Sequence, residues 1–126
     1  MVGVSVSGDK IGGDVSNAIV LFPDPMGATG GSIVRAASMY KDIGGAPPKK
    51  MVSLHLIVTP EYLRRVLKEV PEMQIYAVRL DRGLSPPEVL KTELGARWDE
   101  ERGLNERQYI VPGAGGLGEI LNNSYV

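Results

Sequence analysis

The 126-residue sequence contains no cysteine and only one histidine, one tryptophan and one phenylalanine. The absence of cysteine excludes disulfides and thiolate metal sites. The formal net charge is −1 and like charges form no runs, so the sequence lacks the basic surface expected of a nucleic-acid-binding protein. No apolar stretch approaches the length needed to span a membrane. We therefore expect a small-molecule partner, with no nucleic acid and no membrane involved.

The length of the chain and its 43% hydrophobic content favour a single domain over residues 1–126, with a modest core. The first residues, Met1-Val-Gly-Val, lack the basic start and apolar run of a secretory signal peptide. The expected location is the cytoplasm. The 16 glycines and 9 prolines cluster between periodic segments, which is typical of turns within a fold.

One stretch, residues 17–34, predicts a strand, a glycine-rich turn and a helix start in direct succession. Ala18–Phe22 is an unbroken apolar run, typical of a strand covered on both faces. Asp24–Ser32 supplies the glycines and hydroxyl groups of a tight turn, and a helical period follows. This layout suits a phosphate-binding loop. The loop is neither a Walker A sequence nor a GxGxxG motif, and an ordinary glycine-rich turn is the alternative.

Residues 17–84 are the predicted core, and strands and helices alternate along it. This order requires parallel pairing with right-handed crossovers, so the predicted fold class is α/β, a parallel twisted sheet with flanking helices. In such sheets, ligands bind at the carboxyl ends of the strands, and we expect the Asp24–Ser32 loop and the loops after Val58 and after Leu80 to open on the same edge. His55, in mid-strand, is expected to be a core residue with satisfied hydrogen bonds. The predicted elements are a helix at Ser32–Ile43, a strand at Lys50–Pro60, a helix at Pro60–Val70 and a strand at Gln74–Leu80.

Two motifs resemble those of the uracil phosphoribosyltransferase family. Asp24-Pro-Met-Gly-Ala-Thr-Gly-Gly-Ser32 resembles the family's phosphoribosyl pyrophosphate (PRPP) loop, D-P-M-x-A-T-G-G-S/T. Tyr109-Ile-Val-Pro-Gly-Ala-Gly-Gly-Leu-Gly-Glu119 resembles its uracil-binding segment, Y-I-x-P-G-x-G-D-A-G-D. Between them, Thr59-Pro-Glu61 and Arg102-Gly-Leu-Asn-Glu106 follow in the family's order. The resemblance spans Ala18 to Glu119 and implies a phosphoribosyltransferase-like fold.

The resemblance implies transfer of phosphoribosyl from PRPP to N1 of uracil, which gives UMP and pyrophosphate in pyrimidine salvage. It also implies Mg²⁺ bound with PRPP, with no metal-ligating residue assigned, and GTP as a candidate effector. Asp24 is the implied catalytic residue. The implied PRPP-binding residues are Asp24, Pro25, Met26, Gly27, Ala28, Thr29, Gly30, Gly31 and Ser32, with the backbone amides from Ala28 to Ser32 on the phosphate. The implied uracil-binding residues, which act largely through main-chain groups, are Ile110, Gly115, Gly116 and Leu117.

The sequence departs from the family in two motifs. Gly116 stands where the family has an aspartate in the uracil-binding segment. Residues 85–105 form an insertion that follows Asp81-Arg-Gly-Leu84 and ends in a near-copy of that motif, Glu101-Arg-Gly-Leu-Asn105. The insertion is either a lid over the base site or, the interpretation we favour, a surface excursion or oligomer contact. Within it we predict a short exposed helix from Pro86 capped by Ser85, and a solvated segment at Trp98–Arg102.

The ends of the chain complete the predicted organisation. Residues 1–16 are a flap or a disordered leader, and residues 106–126 are the base-binding segment. Because family members carry further strands before the PRPP loop, we expect the sheet to be incomplete without an N-terminal half. A homo-oligomer, or a partner chain supplying that half, is therefore expected. The functional alternative to the enzyme is a catalytically weak or inactive PRPP- or nucleotide-binding module, or one half of a split enzyme with a regulatory or structural role.

Overall fold

The computed structural model describes Gly8, residues 12–43 and residues 45–113. The strand signal at residues 2–7 lies outside the described part. The fold is α/β with a parallel four-stranded sheet, as the sequence predicts. The elements in chain order are β1 (Ile19–Pro23), β2 (Met26–Gly27), α1 (Gly31–Asp42), β3 (Lys50–Val58), α2 (Pro60–Glu69), β4 (Met73–Leu80), α3 (Pro87–Leu90) and a 3-10 helix (Trp98–Glu100).

Strand β3 is the centre of the sheet. It pairs in parallel with β1 through Lys50–Leu54, with β2 through Ile57 and Val58, and with β4 along most of its length. The predicted order of strands and helices is confirmed, with one addition, because β2 lies inside the glycine-rich loop. All strands run in one direction, so their carboxyl ends, and the loops that follow them, lie at one edge of the sheet.

One face of the sheet and the two long helices form the hydrophobic core. Helix α2 begins where expected because Pro60 occupies its first turn and Thr59 Oγ1 accepts a hydrogen bond from the Tyr62 amide at 3.0 Å. Ala37 of α1 and Val66 of α2 have no exposed surface. The buried members of this core are Val20, Ile33, Ala37, Met51, Val58, Tyr62, Val66, Val70 and Met73.

The opposite face of the sheet is open to solvent in the described structure. The prediction that the β1 apolar run is covered on both faces is therefore wrong, since Ile19 and Leu21 are each 57% exposed. The register places Leu54 beside Tyr76, so apolar side chains of three strands lie together. We call this surface the open face. Its exposed residues are Ile19, Leu21, Leu54, Leu56, Tyr76 and Val78.

The segment after β4 leaves the sheet and returns to the same place. Gly83 and Arg102 form a parallel bridge, and the Leu84 amide donates to the Arg102 carbonyl at 3.1 Å. Two predictions for this segment are wrong. Helix α3 begins at Pro87 without a side-chain cap, since the Ser85 hydroxyl oxygen accepts instead from the Arg102 amide at 2.9 Å.

The second correction concerns Glu101, which was predicted to lie in a solvated charged segment. Its side chain has no exposed surface and accepts a hydrogen bond from Arg82 Nη1 at 2.8 Å. The cost of burying a carboxylate is offset by this paired guanidinium and by the Gly95 amide, which donates to the same oxygen at 2.7 Å. The two near-copies of the motif thus contact each other at the point where the segment leaves the sheet and returns to it.

Candidate functional site

Three polar residues follow three strands directly at one edge of the sheet. Asp24 comes after β1, Thr59 after β3 and Asp81 after β4. The backbone joins them to neighbouring strands, because the Asp24 amide donates to the Leu54 carbonyl at 3.0 Å and the Asp81 amide to the Val58 carbonyl at 2.8 Å. This is the edge at which open α/β sheets bind ligands. The predicted meeting of these loops at one edge is confirmed.

The predicted PRPP loop is a tight turn held by its own groups. Asp24 Oδ1 accepts a hydrogen bond from the Met26 amide at 3.1 Å. The Ala28 amide, which was predicted to act on the phosphate, donates to the Met26 carbonyl at 3.1 Å. Gly30 precedes α1 with a φ of 76°, and a Cβ there would lie 3.0 Å from Val66 Cγ2. Glycine is required at this position by both torsion and space.

The loop opens into the start of α1. The first N–H groups of an α-helix have no intrahelical partner and carry the positive end of the helix dipole, which favours an anion. A cavity of about 100 Å³ lies there, several times the volume a water occupies in the liquid. It has room for a phosphate group. Its lining is Asp24, Met26, Ala28, Thr29, Gly30, Gly31, Ser32, Ile33 and Tyr62.

Two predicted PRPP-binding residues, Pro25 and Gly27, support the loop from the sheet side. The Pro25 carbonyl accepts from the Leu56 amide at 3.0 Å and the Ile57 amide at 3.1 Å. Gly27 lies in β2 and is paired with Val58. These contacts anchor the loop to β3, so its shape is fixed before any ligand binds.

A buried polar network lies beneath Asp24. His55 Nδ1 lies 2.5 Å from the Asp24 carbonyl oxygen, so Nδ1 carries the proton and donates. His55 Nε2 accepts from the Tyr62 hydroxyl at 2.7 Å, and the Tyr62 oxygen lies 3.3 Å from Ser53 Oγ. Burial lowers the pKa of His55 and raises the pKa of Tyr62 to about 12. The prediction that His55 is a satisfied core residue is confirmed.

The pKa of His55 gives a prediction for stability against pH. The ring is neutral in the folded chain, whereas in the unfolded chain it takes up a proton near its ordinary pKa of 6.5. The unfolded state therefore binds more protons below that pH, and the free energy of unfolding falls as the pH drops from 6.5 through the lowered pKa. Urea unfolding of the wild-type chain and of His55→Gln between pH 5 and 8 measures this.

Because His55 is the sole histidine, the difference between the two proteins isolates its contribution. We expect the gap between their unfolding free energies to be constant above pH 7 and to narrow toward pH 5. A gap that does not change with pH would contradict the prediction.

The predicted base-binding segment is described only as far as Gly113. Ile110 is 2% exposed and pairs in an antiparallel bridge with Leu104. The Val111 amide donates to the Gly103 carbonyl at 3.0 Å. The other predicted uracil-binding residues, Gly115, Gly116 and Leu117, lie outside the described residues.

Two carboxylates that the sequence-based site prediction did not include hold this segment and the residues just before it. Both oxygens of Glu61 accept from the Gly103 amide, each at 3.1 Å. Asp81 Oδ2 accepts from the Gly113 amide at 2.8 Å. The available signal was the order of the Thr59-Pro-Glu61 motif, which matches the family but does not say what its glutamate contacts.

The described residues contain no group of three or more histidine or acidic side chains that could hold a metal ion. Magnesium is commonly held by one or two carboxylates together with substrate phosphates. Asp24, half-buried beside the cavity with Oδ1 engaged by the Met26 amide, fits that mode as a single protein ligand.

Comparison with known proteins decides the family. The sequence profile described as "Uracil phosphoribosyltransferase" matches residues 5–99, which is most of the chain. The chain belongs to the uracil phosphoribosyltransferase family. The resemblance drawn from the two motifs is thus confirmed.

Curated uracil phosphoribosyltransferases align along nearly all of this chain. That of Acinetobacter baylyi is 34% identical over 91% of the chain and that of Shouchella clausii 36% identical over 89%, but the matches take in only 44% and 43% of those proteins. The chain thus spans less than half the length of these relatives. The solved structure of the AQ2163 protein from Aquifex aeolicus is 31% identical, with a TM-score of 0.59 over 85% of this chain and 40% of that one.

Within the part of the chain that the structure describes, none of the helices has the length and apolar character required to traverse a bilayer.

Proposed function

We propose that this protein takes part in cytoplasmic pyrimidine salvage by transferring phosphoribosyl from PRPP to uracil, which gives UMP and pyrophosphate. The observation that carries the proposal is the position of the Asp24–Ser32 loop. It surrounds a phosphate-sized cavity at the start of α1 and is tied to the helix turn that also holds the residues leading into the base-binding segment. Family membership supports the same reaction.

In this proposal the PRPP loop holds the 5′-phosphate, and Asp24 lies near the ribose. The bond from C1′ to pyrophosphate breaks, the bond from C1′ to N1 of uracil forms, and the N1 proton is released to solvent. Positive charge develops on the ribose, and a carboxylate close to it stabilises that transition state. Magnesium bound with PRPP would neutralise the departing pyrophosphate, and Asp24 is the residue that would contact it. The Ile110 backbone and residues 115–117 would pair with the edge of uracil.

A second candidate function is a module that binds PRPP or a nucleotide without efficient transfer. It is favoured by Gly116, which replaces an acidic residue of the family motif. Transfer would then require a partner chain that supplies the acidic group, as in one half of a split enzyme.

Pyrophosphate release distinguishes the two candidates. The purified chain is mixed with PRPP, Mg²⁺ and uracil, with and without GTP as a proposed effector, and release is followed with time. Uracil-dependent release supports the transferase. Calorimetric binding of PRPP or UMP without release supports the binding module. No binding of either ligand would contradict both.

The open face supports a further proposal, that the isolated chain associates with a second copy of itself. Its six residues are between 39% and 83% exposed, and the net charge of −1 gives little repulsion between copies. An exposed apolar patch of this kind is typical of an interaction surface. We expect sedimentation equilibrium at micromolar concentration to show oligomers, and Tyr76→Lys with Val78→Lys to shift the chain to monomer.

The matched control is Leu94→Lys, which changes a residue that is 62% exposed but belongs to none of the strands. It should leave the mass distribution unchanged. A wild-type chain that stays monomeric at these concentrations would exclude self-association, and a separate partner chain would then be the candidate to cover the face.

A further inference from the structure

The first turn of α2 contacts both halves of the proposed site. Thr59, the N-cap, donates from Oγ1 to the Ala28 carbonyl in the PRPP loop at 2.6 Å, and its amide donates to the Gly27 carbonyl at 3.0 Å. Two residues later, Glu61 accepts from the amides of Gly103 and Leu104. One helix start therefore fixes the PRPP loop and the chain that leads into the base-binding segment.

Asp81 holds the same segment ten residues further along, at Gly113. Its side chain is buried, with 1% of the residue exposed, and both of its oxygens accept backbone hydrogen bonds. Oδ1 accepts from the Gly83 amide at 3.1 Å and Oδ2 from the Gly113 amide at 2.8 Å. Burial of a carboxylate is costly unless it is hydrogen-bonded, so this arrangement strongly restrains the Gly113 backbone.

Close packing at Gly103 restricts the backbone of the segment that Glu61 and Asp81 hold. A Cβ at Gly103 would lie 2.2 Å from the Asp81 carbonyl oxygen and 3.1 Å from Thr59 Cβ. The backbone at Gly103 therefore packs closely against the residues that follow β3 and β4. A shift of the base-binding segment would break hydrogen bonds or create a clash.

We propose that Glu61 and Asp81 are positioning residues that set the place of the base-binding segment relative to the PRPP loop. The inference rests on the proposed function, since it assigns these residues to uracil placement in that site. Neither side chain is proposed to touch a substrate. Their role is to keep the two reactants at the separation that the transfer requires, where a displacement of 1 Å can cost on the order of 100-fold in rate.

The test uses isosteric variants and two ligands that separate the halves of the site. Glu61→Gln and Asp81→Asn keep the side-chain volume but replace a charged acceptor by an amide. Ribose 5-phosphate reports on the PRPP loop, and UMP on both halves, so the ratio of their dissociation constants by calorimetry isolates the base half. Glu88→Gln makes the same chemical change at an exposed position of α3 and is the matched control.

Both variants are expected to weaken UMP binding about tenfold, since a neutral amide is a poorer acceptor than a carboxylate. Ribose 5-phosphate binding should stay within about twofold of wild type, and Glu88→Gln should change neither constant. A loss of general stability would weaken both ligands in parallel, and this result would overturn the inference. Unchanged UMP binding in both variants would overturn it as well.

A second measurement keeps the inference separate from the proposed function. Backbone amide exchange by NMR is expected to show protection at Gly103, Leu104 and Gly113 in the wild-type chain. Glu61→Gln should lose it at the first two and Asp81→Asn at the third. If the wild-type chain binds no UMP, the proposed function fails, and amide exchange then decides whether the carboxylates hold the segment. Unprotected amides in the wild-type chain would show that they do not.

Discussion

Replacing Arg82 by methionine is expected to lower the free energy of unfolding by about 3–5 kcal/mol, because it leaves the buried carboxylate of Glu101 without its cation. The Arg82 guanidinium also donates to the carbonyls of Thr92 at 2.5 Å and Val89 at 3.3 Å. Glu101 Oε2 is buried without a hydrogen-bond partner among the described residues. The remaining carboxylate would then have only the Gly95 amide.

Urea unfolding measures this loss, and a double variant separates charge from packing. Adding Glu101→Gln to Arg82→Met removes the unpaired charge while Gln Oε1 can still accept from the Gly95 amide. We expect the double variant to regain ~1–3 kcal/mol over the single variant.

Arg97→Met, which breaks an exposed ion pair with Glu100, is the control. It should leave the urea concentration at the unfolding midpoint nearly unchanged. Equal midpoints for Arg82→Met and the wild-type chain would contradict the buried-pair assignment.

Under the proposed function, replacing Asp24 by asparagine is expected to reduce uracil-dependent pyrophosphate release by about 10²–10³-fold, because the transition state would lose the carboxylate proposed to lie near the ribose. The loop itself should keep its shape, since the asparagine Oδ1 can still accept from the Met26 amide. The His55 contact is to the Asp24 carbonyl and is also unaffected. The measurement is the initial rate at saturating PRPP and uracil.

Asp42→Asn, at the exposed end of α1, is the matched control and should retain the wild-type rate. Binding of ribose 5-phosphate to Asp24→Asn shows whether the donor half remains intact. An unchanged rate in Asp24→Asn, with donor binding preserved, would remove Asp24 from the catalytic role.

The arrangement of the PRPP loop could be predicted from the sequence because the residues that determine it are adjacent in the chain. An apolar run followed by closely spaced glycines and a helical period fixes a strand, a turn and a helix start whatever surrounds them. The parallel sheet followed from the order of the elements, and this placed the loops after β1, β3 and β4 at one edge. His55 was correctly placed in the core because its neighbours in the strand are apolar.

The errors came where burial depends on residues distant in the chain. Leu21 belongs to an apolar run that could equally be covered on one face or on two, and the choice depends on which elements reach the sheet. Glu101 looked solvated because its neighbours are charged, whereas its environment is set by Arg82, 19 residues earlier. Ser85 had the side chain of a helix cap, but its oxygen accepts instead from the amide of Arg102, 17 residues later.

The sequence determined the family, the order of strands and helices and the position of the PRPP loop, because each depends on residues adjacent in the chain. Only the tertiary structure assigned Glu61 to the residues that lead into the base-binding segment, since its partner Gly103 is 42 residues away. A glutamate in the first turn of a helix is expected from the helix dipole alone. Its hydrogen bond with the distant Gly103 amide forms because parallel pairing brings the ends of β3 and β4 together.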